Sequence, residues 1–455
     1  MKTSIRFFNL ATFTVSAFSF VPAHATLTPT FQRGEEIVEI SVPGKRAEIC
    51  VIPKHFEGAK YKKKDLEMEK ALCALNVYEN AAVCGKTEST NPGLNIHLVP
   101  KGFTIQQVEA KDCELAAPNK AKKVAKYKLS TSCSYTPSIL GYYHVSRILG
   151  GVANVPPAVL RTFDLDRHLA IGKDVIGSLK SGSLIQQTWS GLISQLKAGG
   201  AGKKKDLLLT DDLDQSYGAL QENPTKEEKY SDLFNGGADQ PARAANFKAK
   251  NPVYLALAKS SDVSKTVGRD FTAANVQKLV VMRDVADMIV IDTIMNQQDR
   301  FGNIHYINKY FFRTGEKNKA GLPEIDSDKK LTPEEIKKYG AVQIREMILK
   351  DNDCGVTKTP VIKQAKLLQG LRHIDPSTYK RVLKLNAVAD SEETRKFFTQ
   401  GTMMTPTDYS SIRKNLKEVA EQLYGACKQG NLKLDLDLES HFAGQEADQS
   451  CEIDG

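Results

Sequence analysis

Beyond residue 25 the sequence has no apolar run long enough to cross a bilayer, so no integral membrane segment is expected. No two cysteines stand two to four residues apart, which argues against a zinc site. No internal repeat is visible. The two dense basic runs, "KYKKK" (Lys60 to Lys64) and "KKK" (Lys203 to Lys205), have no aromatic residue among them except Tyr61. They read as solvated loops, and no nucleic-acid partner is expected. "DSDKKLTPEEIKK" (Asp326 to Lys338) has the outline of a calcium loop but no glycine at its sixth position, and Lys337 where a glutamate is needed. Thr332 followed by Pro333 explains it better, as a capped helix start.

What is present begins with an export signal. Lys2 and Arg6 precede a mostly apolar stretch from Phe7 to Val21, and Ala23-His24-Ala25 supplies small residues for cleavage after Ala25. The leader would take two basic residues and no acid, so the formal charge falls from +9 to +7. The expected location is a periplasm or the medium. All eight cysteines follow the leader, and an even count in an exported chain predicts disulfides, at least one of them within Cys50 to Cys113.

Residues 26 to about 120 read as irregular apart from one helix, "KDLEMEKALCALNVYENAAVCG", expected to stop at Gly85. "AKYKLSTS" (Ala125 to Ser132) reads as a strand carrying Lys126 and Lys128. "TPSILGYYHVSRILGG" reads as a helix opened by Pro137 and stopped by Gly150-Gly151. "VPPAVLRTFDL" follows as a turn and strand. Residues 166–272 are loop-rich and polar, and read as an insertion with short helices such as Val253 to Ala258. "NVQKLVVMRDVADMIVIDTIMN" is apolar on nearly every face, which predicts a buried helix. "NIHYINKYFF" and Met347 to Leu349 read as strands.

Asp299 sits just before the first of these strands, and Asp351 just after the second. If they pair as an antiparallel hairpin, the start of one lies beside the end of the other. The two acids then meet at one edge. Clustered carboxylates with an amide such as that of Asn303 are oxygen ligands suited to Mg²⁺ or Mn²⁺, and the ion completes its shell with substrate phosphates. Phosphoryl transfer also needs a lysine on the phosphates, and Lys128 or Lys126 stands in the expected place.

The order of these pieces resembles a known family. "GYYHVSRILGGVANVPPAVLRT" resembles the helix, "DRILGF", "RVPP" and strand of the secreted Golgi kinases, the family of the secretory-pathway casein kinase, the xylosylkinase and Four-jointed. "VADMIVIDTIMNQQDRFGN" resembles its buried helix ending in Asp-Arg, "MILKDNDCG" its "LDNG" metal motif, and "LLQGLRHIDPSTYKRVLKL" its "IR-x-STY-x-RL" helix. The likeness runs roughly from residue 125 to 430, with Cys427 at a late cysteine of the family. It implies an α+β, atypical two-lobed kinase-like fold with a mainly helical C-lobe. The expected parts are an N-terminal extension and N-lobe at 26–165, the insertion at 166–272, the C-lobe at 273–430 and a tail at 431–455. It implies ATP with Mn²⁺ or Mg²⁺ as cofactors and a protein or glycan hydroxyl as acceptor. By position the resemblance makes Asp299 the catalytic-loop aspartate, Lys128 (or Lys126) the phosphate lysine, and Asp351 the metal aspartate with Asn352 beside it; from the residues themselves, Asn303 and Asp353 are further candidate metal ligands.

Three departures bear on activity. No acidic residue lies between Cys133 and Arg147, where the family's helix carries a glutamate for the lysine. Its substitute would come from another segment, such as Glu109 or Glu114. Asn303 lies one residue nearer Asp299 than the usual metal asparagine of kinases. Asp353 stands where the family has glycine. AMP transfer, known from relatives with this skeleton, and a nucleotide-binding regulatory pseudokinase therefore stand beside a phosphotransferase.

Overall fold

Residues 34–131, 133–200, 208–356 and 360–453 are described by a computed structural model of the chain. The expected leader and the Lys203 to Lys205 run lie outside these residues.

The first lobe is built on seven short strands: β1 (Glu36–Ile40), β2 (Glu48–Ile52), β3 (Ala81–Gly85), β4 (Gly93–Leu98), β5 (Lys122–Lys128), β6 (Ala158–Asp164) and β7 (Gln215–Glu222). They form one sheet in the order β1-β2-β6-β7-β5-β4-β3, antiparallel throughout. Four of these strands fall in the stretch expected to be irregular. Ala81 to Cys84 and Gly93 to His97 are buried at consecutive positions, so the period-two alternation that marks a half-exposed strand is missing.

Helix α1 (Lys63–Cys73) ends well short of Gly85, and a short α2 (Ile105–Glu109) follows β4. Cys73 is bonded to Cys50 of β2. Just beyond, the Asn76 side chain accepts from the Tyr78 amide at 2.9 Å, an Asx turn that reverses the chain into β3. The remaining disulfides are Cys84–Cys113, Cys133–Cys354 and Cys427–Cys451, so two of the four bridges lie within Cys50 to Cys113.

The segment 166–272 is not a separate insertion. β7 lies in the middle of the sheet and pairs with β6 along its length, from Ala158↔Gln221 to Asp164↔Gln215. The helices between them, α4 (Leu165–Ser178) and α5 (Leu184–Lys197), pack under the same sheet. Trp189 of α5 is fully buried there, and its Nε1 donates to the Lys86 carbonyl at 2.9 Å. On the opposite face lies α3 (Thr136–Ile148), which follows β5 and is buried along its whole length.

From β8 (Glu228–Lys229) onward the chain belongs to a mainly helical lobe. Helices α6 (Gln240–Lys250) and α7 (Pro252–Leu257) place Phe247, Tyr254 and Leu257 in its core. At the centre runs α8 (Ala273–Ile294), whose residues from Leu279 to Met282 and from Asp284 to Ile294 are all buried, as its all-round apolar pattern predicts. β9 (His305–Lys317) pairs antiparallel with β11 (Val342–Ile348), and β10 (Pro323–Asp326) lies on its other side. Thr332 caps α9 (Pro333–Tyr339), accepting from the Glu335 amide at 3.3 Å. α10 (Pro376–Val388) and α11 (Pro406–Lys428) close the lobe, and Leu432, Leu434 and Leu436 of the expected tail are buried against it. No helix among the described residues is long and apolar enough to cross a membrane.

Candidate active site

The antiparallel pairing of β9 with β11 sets the geometry. Ile348 at the end of β11 stands opposite His305 at the start of β9, so Asp351 and Asp299 emerge at the same edge. Asp351 adopts a left-handed conformation, φ 55° and ψ 47°, one that aspartate tolerates better than most residues, and a single 3₁₀ turn over Asn352–Cys354 follows. This turn is held from several sides. The Asn352 Nδ2 donates to the Leu349 carbonyl at 2.7 Å. Ser138 of α3 donates its hydroxyl to the Asn352 carbonyl at 2.6 Å and accepts from the Gly355 amide at 3.1 Å. The approach needs glycine: a Cβ at Gly355 would lie 2.5 Å from Ser138 Oγ and 2.7 Å from Tyr142 Cε2. Cys354 is bonded to Cys133, which fastens the turn to the chain leaving β5.

β5 brings Lys128 to this turn. Its Nζ lies 3.3 Å from Asp351 Oδ1 and 3.1 Å from Asp353 Oδ2. The Lys128 and Asp353 side chains are each 4% exposed, that of Asp351 29%. Lys126, two residues earlier on the same face of the strand, has Asp351 as its leading charge neighbour.

Arg300 couples the two acidic segments. Its guanidinium donates to Asp292 of α8 from Nε at 2.8 Å and from Nη2 at 2.9 Å, and also reaches Asn352 Oδ1 at 2.7 Å and the Lys350 carbonyl at 3.0 Å. Asp299, beside it, receives the Gln240 amide at 2.5 Å, and Gln240 also bonds the amide and carbonyl of Phe301 at 3.0 and 2.9 Å. Asn303 donates its side-chain amide to the Asp299 carbonyl at 3.1 Å.

The charges perturb one another. Burial alone would raise the Asp351 carboxyl, but Lys128, then Lys126, Lys350 and Lys86, hold it far below the carboxylate range. Lys128 is depressed by burial and raised more strongly by Asp353 and Asp351, so it stays an ammonium. Burial holds Lys126 down to about 8, with Lys350, Lys128 and Lys86 adding to it against the pull of Asp351. Lys86 is lowered for the same reasons, burial first and Lys128 next. Asp299 is raised by burial and by Asp353, with Arg300 opposing.

The structure thus brings Lys128, Asp351 and Asp353 into direct contact. Asp299 lies within electrostatic reach of both acids, and Lys126 within reach of Asp351. Glu109 does not serve Lys128: it accepts from Arg167 at 2.7 Å and from the Val83 amide at 2.9 Å. Glu114 is exposed. Sequence reasoning missed Gln240, Ser138, Lys86 and the linking role of Arg300. Gln240 lies far from Asp299 along the chain, and nothing local marks the contact; the Asp-Arg pair was the available signal for Arg300.

The donor set suits a hard cation, because the carboxylates and the amide are oxygen ligands. Among the described residues there is no group of three or more His, Cys, Asp or Glu side chains able to hold a metal by themselves.

No protein-family model matches the chain, and no curated protein matches it. Among solved structures, the chain is similar to a crystal structure of the Golgi casein kinase with Mn/ADP bound. The identity is 12% and the TM-score 0.41, covering 80% of this chain and 76% of that one. A second crystal structure of the Golgi casein kinase is 11% identical with a TM-score of 0.40, over 80% of this chain and 75% of that one.

Proposed function

We propose that this chain is an exported, ATP-dependent phosphotransferase acting on a protein or glycan hydroxyl. The observation that carries the reading is the meeting of Lys128 with Asp351 and Asp353 at the edge where Asp299 emerges. Lys128 binds the donor phosphates. Asp351 and the Asn303 amide oxygen would hold a divalent cation, whose charge would offset that of the phosphates. Asp299 accepts the proton of the acceptor hydroxyl as its oxygen attacks the γ-phosphorus and the bond to ADP breaks. Gln240 orients that carboxylate, and Arg300 keeps its segment in register with the Asp351 turn. Eight cysteines joined in four bridges support an oxidising, extracytoplasmic setting.

A second reading, AMP transfer on the same site, is favoured by the absence of any acid on α3 to meet Lys128. Intact mass after incubation with ATP and Mn²⁺ separates the two: a gain of about 80 Da marks a phosphoryl group and about 329 Da an AMP group. If no gain appears on this chain or on any offered protein or glycan while nucleotide still binds, the catalytic reading gives way to that of a regulatory pseudokinase.

A further inference from the structure

We propose that Asp353 is the positioning residue of Lys128, supplying from the metal-motif turn the carboxylate that α3 does not provide. The inference rests on the reading of this cleft as a nucleotide site.

Burial separates the roles of the two acids. Asp351 is the more exposed, with 29% of its side chain open to solvent, where a cation shared with phosphate and water can reach it. Asp353 is enclosed together with Lys128, at 3.1 Å. The Asn91 amide, in the loop joining β3 to β4, approaches the same Asp353 oxygen at 3.5 Å. A carboxylate sealed against a lysine and an amide is poorly placed to share an ion with solvent, and well placed to hold an ammonium still.

The surrounding structure fixes Asp353 where that function needs it. The first turn of α3 carries Ser138 to the backbone on both sides of Asp353, at the Asn352 carbonyl and the Gly355 amide. The helix therefore holds the turn, and the turn holds the lysine. The Cys133–Cys354 bridge adds a covalent tie between the chain just past Lys128 and the residue next to Asp353. When Asp351 engages a cation, Lys128 keeps Asp353 as its partner and stays aimed at the phosphates.

Calorimetry on the oxidised protein tests this with ADP titrated at saturating Mn²⁺, and with Mn²⁺ titrated at saturating ADP. Asp353→Ala and Asp353→Asn should each weaken ADP by about 10–100-fold, the cost of losing an outer partner, while the Mn²⁺ half-saturation stays where it is. Asp353→Glu should recover most of the affinity. Lys128→Met should show a similar loss, and the double variant Lys128→Met/Asp353→Asn should lose no more than Lys128→Met alone, because the residues act as one unit. That double variant removes the buried charge together with its partner, so it remains informative if Asp353→Ala does not fold. A raised Mn²⁺ half-saturation, with ADP affinity restored by excess metal, would make Asp353 a metal ligand and overturn the assignment. Additive losses would overturn it as well. Failure of the wild-type protein to bind ADP with Mn²⁺ would instead sink the nucleotide-site reading itself, a result distinct from either.

Discussion

Replacing Arg300 with methionine should unfold the helical lobe early and silence the cleft at once. Arg300 and Asp292 are both 0% exposed and joined by two charge-assisted bonds at 2.8 and 2.9 Å. The variant leaves Asp292 charged inside the core, with the Tyr142 hydroxyl, at 2.7 Å, as its remaining side-chain donor. Breaking such a pair by removing one partner costs about 3–5 kcal/mol. At about 2 °C per kcal/mol for a chain of this size, melting should fall by roughly 6–10 °C.

The companion variant Asp292→Leu/Arg300→Met removes both charges, and an apolar pair of similar volume is often neutral or stabilising. It should recover most of the melting temperature. Nucleotide binding should not return with it, because Asn352 Oδ1 and the Lys350 carbonyl still lack the donor that sets the Asp351 turn. Thermal unfolding by circular dichroism, read with and without ADP and Mn²⁺, checks both halves. A single variant melting within about 2 °C of wild type, well under the buried-pair cost, would refute the energetic argument. A double variant with full nucleotide affinity would refute the structural one.

Asp351→Ala should abolish Mn²⁺-dependent nucleotide binding yet barely change melting without ligand, since its side chain is partly exposed and Lys128 keeps Asp353; early melting with an intact ligand shift would put Asp351 in the scaffold. ADP binding near pH 8 should take up protons. Lys126, held down to about 8 by burial and its lysine neighbours, gains charge beside a phosphate, and calorimetry in buffers of different ionisation heats reads the uptake. The same shift means the unfolded chain binds more protons between about pH 8 and 10.5, so this group's contribution to stability rises with pH across that window. Thiol titration of the denatured, unreduced protein should find no free cysteine, and a count of eight would remove the bridges altogether.

The second half of the chain was legible because its signals are local. Apolar residues on every face of residues 273–294 announce burial, and two strands flanked by Asp299 and Asp351 fix which edge the acids share. The first lobe was harder. β7 lies in a polar, loop-rich stretch, and what makes it a strand is pairing with β6 and β5 on either side, contacts no window of sequence contains. Asp353 shows a subtler limit. Its neighbour Asp351 made it look like one more acid for a metal, and only the burial it shares with Lys128 separates the two.

If this edge binds nucleotide and metal as proposed, its ion pairs imply that cation and anion enter together. Lys128 lies between two carboxylates, and the more exposed of these, Asp351, is the one proposed to bind the metal. A cation at Asp351 alone would sit beside an ammonium; a phosphate at Lys128 alone would sit beside a carboxylate. Like unit charges about 4 Å apart cost about 4 kcal/mol at the effective dielectric of a protein surface. Each ligand removes the repulsion that the other meets, so each must raise the other's affinity by the same factor. The left-handed Asp351 backbone, the Ser138 cradle and the Cys133–Cys354 bridge keep the carboxylates from moving apart to relieve the strain singly. On the proposed reading a fixed turn would turn two weak sites into one strong one, and the lysine's second carboxylate would let it release the first.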